Sequence, residues 1–98
     1  MDNMKVEQYN AMNQFHLYGN GINELQSYNS LVVKIKWVNG KAQIVLGRDW
    51  DYSTTTSKYV YMFLDEYGDI NFYGISNKRQ YVNKLIKEGK ITYDENMR

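Results

Sequence analysis

The chain contains no cysteine and no proline. The first absence excludes a disulfide framework and any thiolate metal site, and it suits a reducing compartment. No apolar run approaches the roughly 18 residues that a membrane span needs, and the N-terminus lacks the basic-then-apolar order of a secretion signal. Histidine occurs once, at position 16. No internal repeat and no low-complexity linker divides the 98 residues. A single domain over residues 1–98 is therefore expected, in a soluble cytoplasmic protein.

What is present is an ordinary apolar fraction of 43%, which argues against disorder, and ten tyrosines. The formal net charge of +1 gives no reason by itself to expect nucleic acid. Its distribution is more informative. Across residues 76–91, Lys78, Arg79, Lys84, Lys87 and Lys90 face only Glu88. Residues 49–69 are acidic by contrast, with Asp49, Asp51, Asp65, Glu66 and Asp69 against Lys58. A near-neutral total thus hides a basic C-terminal third.

The clearest element is LVVKIKWVNGKAQIVLG. Leu31, Val33, Ile35 and Trp37 alternate with Val32, Lys34, Lys36 and Val38, and the Asn39-Gly40 pair suits the positive φ angles of a type I′ turn. Folding about that turn sets Trp37 opposite Ala42, Ile35 opposite Ile44 and Val33 opposite Leu46, all apolar pairs, so turn and burial imply one register. Upstream, Gly19-Asn20-Gly21 separates two strand-like segments. A three-residue loop there would set Phe15 against Leu25, whereas a two-residue loop does not align the apolar positions. Residues 4–12 fit a short helix or an edge strand, and neither period decides.

Tyr59, Val60, Phe63, Leu64 and Tyr67 recur at helical spacing, with Gly68 as the expected left-handed stop. The run Ser53-Thr54-Thr55-Thr56-Ser57 precedes them, and one of its first three residues is expected to cap the helix. A second helix follows from Ser76 or Asn77 as cap to Gly89 as stop. Its apolar face is Tyr81, Val82, Leu85 and Ile86; its opposite side carries Arg79, Gln80, Asn83, Lys84 and Lys87. Residues 90–93 read as a final strand with Ile91 and Tyr93 on one side.

Few side chains suggest chemistry. His16 has no cysteine partner and no nearby carboxylate pair, so it reads as a surface strand residue and not as a metal ligand or general base. Asp49 and Asp51 without a third ligand read as turn and cap residues. The Ser/Thr run with Lys58 lacks the glycines of a nucleotide loop, although a single phosphate contact at this helix start fits. A DNA-cutting tyrosine would need partner groups that one histidine cannot supply. The basic helix is the leading feature. Arg, Gln, Asn and Lys side chains reach phosphate oxygens and base edges, and a helix, turn, helix, strand order resembles a winged helix-turn-helix.

The strings QSYNSLVVKI (residues 26–35), LGRDWDYSTTTSKYVYMFL (46–64) and NKLIKEGKI (83–91) resemble short proteins encoded by phages, prophages and plasmids of Gram-positive bacteria. Chain size, tyrosine- and lysine-rich composition and the hairpin-helix-helix order are also similar to a clostridial conjugation relaxosome accessory family, winged helix-turn-helix factors that bind the origin of transfer as dimers. For such folds the resemblance implies contacts from the last helix and from a hairpin wing. Here these correspond to Arg79, Gln80, Asn83, Lys84 and Lys87 and to Lys34, Lys36 and Lys41 around Asn39-Gly40, with Lys58 as the added phosphate contact.

The expectation is an α+β domain, a small antiparallel β-sheet of two hairpins packed on two helices, winged helix-turn-helix-like. Its expected role is that of a non-enzymatic accessory protein of a mobile genetic element, in plasmid conjugation or phage regulation. It would bind double-stranded DNA as a homodimer, with a relaxosome or host protein as a further partner and no cofactor, metal or membrane. The alternative is a phage- or plasmid-encoded inhibitor of a host enzyme, acting through the tyrosine-rich sheet or the acidic segment 49–69.

Overall fold

The computed structural model describes residues 4–98, so residues 1–3 of the undecided N-terminal segment lie outside the described residues. Of the undecided residues 4–12, residues 10–12 enter a turn and four others form an edge strand, β1 (Lys5–Gln8). It is followed by β2 (Gln14–Gly19), β3 (Ile22–Ser27), β4 (Ser30–Val38), β5 (Lys41–Gly47), α1 (Thr54–Gly68), α2 (Lys78–Lys87) and β6 (Thr92–Asp94). All six strands join one sheet in the order β1-β2-β3-β4-β5-β6. The first five form an antiparallel meander, and β6 adds parallel to β5. A parallel neighbour needs a long crossover, which the two helices supply.

The β4–β5 hairpin has the register read from its sequence: Trp37 opposite Ala42, Ile35 opposite Ile44, Val33 opposite Leu46. Asn39 and Gly40 hold φ of 53° and 78°. The β2–β3 connection is also a two-residue loop, Asn20 and Gly21 with φ of 54° and 74°, and it pairs His16, not Phe15, with Leu25. β2 therefore inverts its apparent pattern. Gln14 and His16 are buried on the core side, and the half-buried Phe15 and Leu17 lie on the other. Val32 departs from simple alternation too. A bulge opposite Leu25 and Gln26 gives β4 an extra residue, and both Val32 and Val33 are fully buried.

This arrangement overturns the winged helix-turn-helix expectation. The hairpin that such a fold would project as a free wing is interior, held by β3 on one side and β6 on the other. Strand content (37%) exceeds helix content (26%), and the sheet is mixed, not a pair of antiparallel hairpins. Both helices lay their apolar sides on one sheet face. Val60, Phe63 and Leu64 of α1 and Val82 and Leu85 of α2 share a core with Leu25, Val33, Ile35, Ile44 and Leu46.

The helix ends follow local chemistry. Ser53 caps α1, its hydroxyl accepting from the Thr56 N–H, and Asn77 caps α2 by accepting from the Gln80 N–H. The left-handed residue after α1 is Asp69 (φ 57°), one position later than expected. Gly68 serves packing instead: a Cβ there would lie 3.1 Å from Ile44 Cδ1 and 3.3 Å from Ile35 Cδ1. The Trp37 indole N–H donates to the Tyr67 carbonyl at 2.9 Å, satisfying an acceptor that the helix end leaves open. The last strand begins at Thr92, with Ile91 buried ahead of it and Tyr93 exposed.

Two features yield stability predictions. Gln14 is 1% exposed and neither of its amide atoms has a partner among the described residues. Desolvating an unpaired amide costs free energy that a similarly shaped apolar side chain avoids. Gln14→Met is expected to stabilise the fold by about 1 kcal/mol, seen as a raised denaturation midpoint in urea.

The second concerns alkali. The Tyr9 hydroxyl donates to Glu66 Oε1 at 2.7 Å. Burial, then that bond and the Glu66 charge, raise its ionisation far above the ordinary value of 10.0. Unfolded, Tyr9 loses its proton near pH 10 while the folded chain keeps it, so stability falls as pH climbs past that point. The expected slope is about 1.4 kcal/mol per pH unit from Tyr9. Tyr61 and Tyr67, also raised chiefly by burial, act in the same direction. Urea titrations across this range should show a shallower decline for Tyr9→Phe than for the parent chain.

Candidate functional site

The nine residues singled out from the sequence do not form one surface. Residues 34, 36, 38, 41, 43 and 45 alternate with the buried positions of β4 and β5, so Lys34, Lys36 and Lys41 lie on the sheet face away from the helices. Lys34 there stands between Glu24 and Val45. Lys58, Arg79, Gln80, Asn83, Lys84 and Lys87 belong to the helical layer on the opposite side. A partner touching one set cannot touch the other without wrapping the sheet. The hairpin half of the proposed contact surface is thereby separated from the helical half.

The helical half is coherent. α2 buries Val82 and Leu85 and half-buries Tyr81 and Ile86. At 100° per residue, Gln80, Asn83, Lys84 and Lys87 then fall on the diametrically opposite, solvent-facing stripe. Among the described residues, neither Lys84 nor Lys87 makes an ion pair; the C-terminal pair of this region is Lys90 with Glu88 at 3.5 Å. Both lysines sit in the last turn, where they also offset the negative end of the helix dipole.

Arg79 is placed differently. Its guanidinium donates to Asp51 Oδ2 at 2.8 Å, bridging α2 to the segment before α1. Beside this bridge a groove of about 690 Å³ runs along α1, and Lys58, Lys78 and Arg79 line it together with Tyr61 and Phe72. Lys78 was not among the predicted contacts, although it belongs to the basic cluster and lines the same groove as Lys58. The groove also holds Asp51 and Asp65, which reduce its positive charge. Its aromatic floor continues a chain of ring contacts from Trp50 to Tyr61 (6.3 Å between centroids), Phe72 (5.5 Å) and Tyr81 (5.8 Å), which ties the two helices together.

His16, expected on the surface, is 4% exposed. Nε2 lies 2.7 Å from Asn23 Oδ1 and Nδ1 3.3 Å from Glu7 Oε1. Its ring packs 4.6 Å from Tyr67 and 5.3 Å from Phe63. The carboxylate partner comes from β1, a strand that the sequence left undecided. Among the described residues no group of three His, Cys, Asp or Glu side chains gathers at metal-binding distance, and no helix is long and apolar enough to cross a membrane.

Fold and site together define a two-layer protein: a six-stranded mixed sheet with one face under two helices and the polar side of the second helix open to solvent. The chain belongs to the Family of unknown function (DUF8033), whose pattern matches residues 4–88, from the start of β1 to the end of α2. No curated protein and no solved structure matches it.

Proposed function

We propose that this protein binds double-stranded DNA through the solvent-facing stripe of α2. The observation carrying the proposal is the one that could have removed it. Lys84 and Lys87 are exposed and free of ion pairs among the described residues, while the apolar side of the same helix is sealed in the core. Lysines in that state retain their full attraction for phosphates and release counterions on binding. Gln80 and Asn83 on the same stripe offer paired donors and acceptors suited to base edges. Arg79, tied to Asp51, orients the start of α2 and contributes less charge than its position suggests. The role of mobile-element accessory factor remains part of the proposal and rests on the resemblance of residues 26–35, 46–64 and 83–91 to phage and plasmid proteins. A gel shift with duplex from the element's own intergenic DNA, at low salt and micromolar protein, should retard the DNA; an unshifted band refutes the reading.

A second reading draws support from the sheet. β2 turns Phe15 and Leu17 to the face that no helix covers, where Leu17 lies between Val6 of β1 and Glu24 of β3. A host protein docked there would use the apolar side chains of Val6, Phe15 and Leu17. Capture of one stoichiometric host protein, lost on Leu17→Glu, together with a negative gel shift, would favour it.

A further inference from the structure

The two sequence segments most distant from the α2 stripe in their chemistry, QSYNS (residues 26–30) and DWDYSTTTS (49–57), meet at one cleft. Its volume is about 630 Å³, within the range of small-molecule sites, and it opens between the β3–β4 turn and the start of α1. The walls are joined by two side-chain bonds across a long sequence separation. The Ser30 hydroxyl donates to Asp49 Oδ2 at 2.8 Å, and Ser27 Oγ lies 3.0 Å from Thr56 Oγ1. The Ser53 hydroxyl in turn donates to Thr56 Oγ1 at 3.2 Å, so a chain of three hydroxyls underlies the cleft.

Two tyrosines in its lining are left open to solvent. Tyr52 is 80% exposed and Tyr28 is 52% exposed. Tyr28 holds φ of 55°, a left-handed conformation that aromatic residues rarely adopt. Neither ring contributes to the core.

The cleft carries little net charge, because Asp49, the one charged residue in its lining, is paired with Arg48 through two hydrogen bonds. Asp49 is kept below its usual ionisation range by hydrogen bonds from Arg48 and then Ser30, so it stays an acceptor while the guanidinium offsets its charge. The first turn of α1 presents N–H groups, of which the Ser53 side chain accepts only that of Thr56, so the cleft offers donors beside its acceptors. An uncharged ligand bearing many hydroxyls is suited by both, because it donates to Asp49 and Asn29 and accepts from the N–H groups and from Thr55. Flat, exposed tyrosine rings complete the fit by covering the C–H face of a sugar ring. We infer that this cleft binds an uncharged saccharide, with Tyr28 and Tyr52 against pyranose faces and Asp49, Asn29 and Thr55 on ring hydroxyls.

The site is independent of the α2 stripe, and the experiment separates them. Maltose, cellobiose and chitobiose are titrated into the isotopically labelled full chain, and amide chemical shifts are followed. At least one should give saturable shifts confined to residues 27–30 and 49–56 in the millimolar range, unaffected by added salt. Tyr52→Ala should weaken that binding about threefold to tenfold, the range expected for loss of one aromatic contact, without changing the melting temperature. The Lys84→Ala/Lys87→Ala chain should bind the sugar as the parent does. Absence of saturable shifts with all three sugars overturns the inference, as does a response to inorganic phosphate alone or full retention of binding by Tyr52→Ala.

Discussion

Phe63→Ala is expected to cost about 3–5 kcal/mol, a large share of the roughly 5–15 kcal/mol that stabilises a small domain. Phe63 is fully buried in α1 and packs on three aromatic rings, Tyr9 of the β1–β2 connection, His16 of β2 and Tyr67 one turn along α1. Its centroid lies 5.3 Å from Tyr9, 5.3 Å from His16 and 4.8 Å from Tyr67, the first two near-perpendicular. Edge-to-face pairs of this kind add to the burial of the ring itself. Truncation removes all three contacts and leaves a cavity under rings that are anchored elsewhere. The Tyr9 hydroxyl is held by Glu66 and the His16 ring by Asn23, so neither can swing in to fill it. Thermal melting should fall by more than 12 °C at about 4–8 °C per kcal/mol for a domain of this size. A shift under about 4 °C would mean that α1 does not seat on β2 and β3 through this ring.

Lys84→Ala/Lys87→Ala should weaken duplex binding tenfold or more at low salt and reduce the slope of log affinity against log salt by roughly 2. The same change should cost no more than about 1–2 kcal/mol of stability, because each lysine contributes only its interaction with the helix dipole. The opposite sheet face supplies the control. Lys34→Ala/Lys36→Ala removes as much charge from the chain, yet at about 0.1 M salt, where charges are screened beyond roughly 10 Å, duplex affinity should stay within about twofold. Equal losses from both pairs would show that net charge, not the α2 stripe, drives association. A large loss of melting temperature in the α2 variant would assign those lysines to structure.

The parts legible in the sequence are those whose signals are local. The β4–β5 register follows from one turn pair and one alternation, and both helix starts follow from a hydroxyl or amide placed just ahead of an apolar stripe. The sheet order was not legible, since the pairing of β3 with β4 and of β5 with β6 leaves no local mark. The β3–β4 turn runs through Tyr28 and Asn29 with no glycine, and β6 spans three exposed residues. β2 misleads for a physical reason. Its inward positions are a histidine and a glutamine, one satisfied by Glu7 and Asn23 from neighbouring strands and the other unsatisfied, so polarity masks burial. For the site, the exposed stripe of α2 was readable from helical spacing. The separation of Lys34, Lys36 and Lys41 from it was implicit in the hairpin register, which already set them opposite the apolar pairs; what was missing was the placement of both helices over those pairs. The cleft at Tyr28 and Tyr52 joins segments about twenty residues apart, and neither segment alone suggests a ligand.

The most direct test of the DNA reading is fluorescence anisotropy of a labelled duplex titrated with the parent chain at several salt concentrations. Log affinity should fall linearly with log salt, with a slope corresponding to about four to eight displaced counterions. Affinity that does not change with salt, or no binding at micromolar protein in low salt, would contradict it.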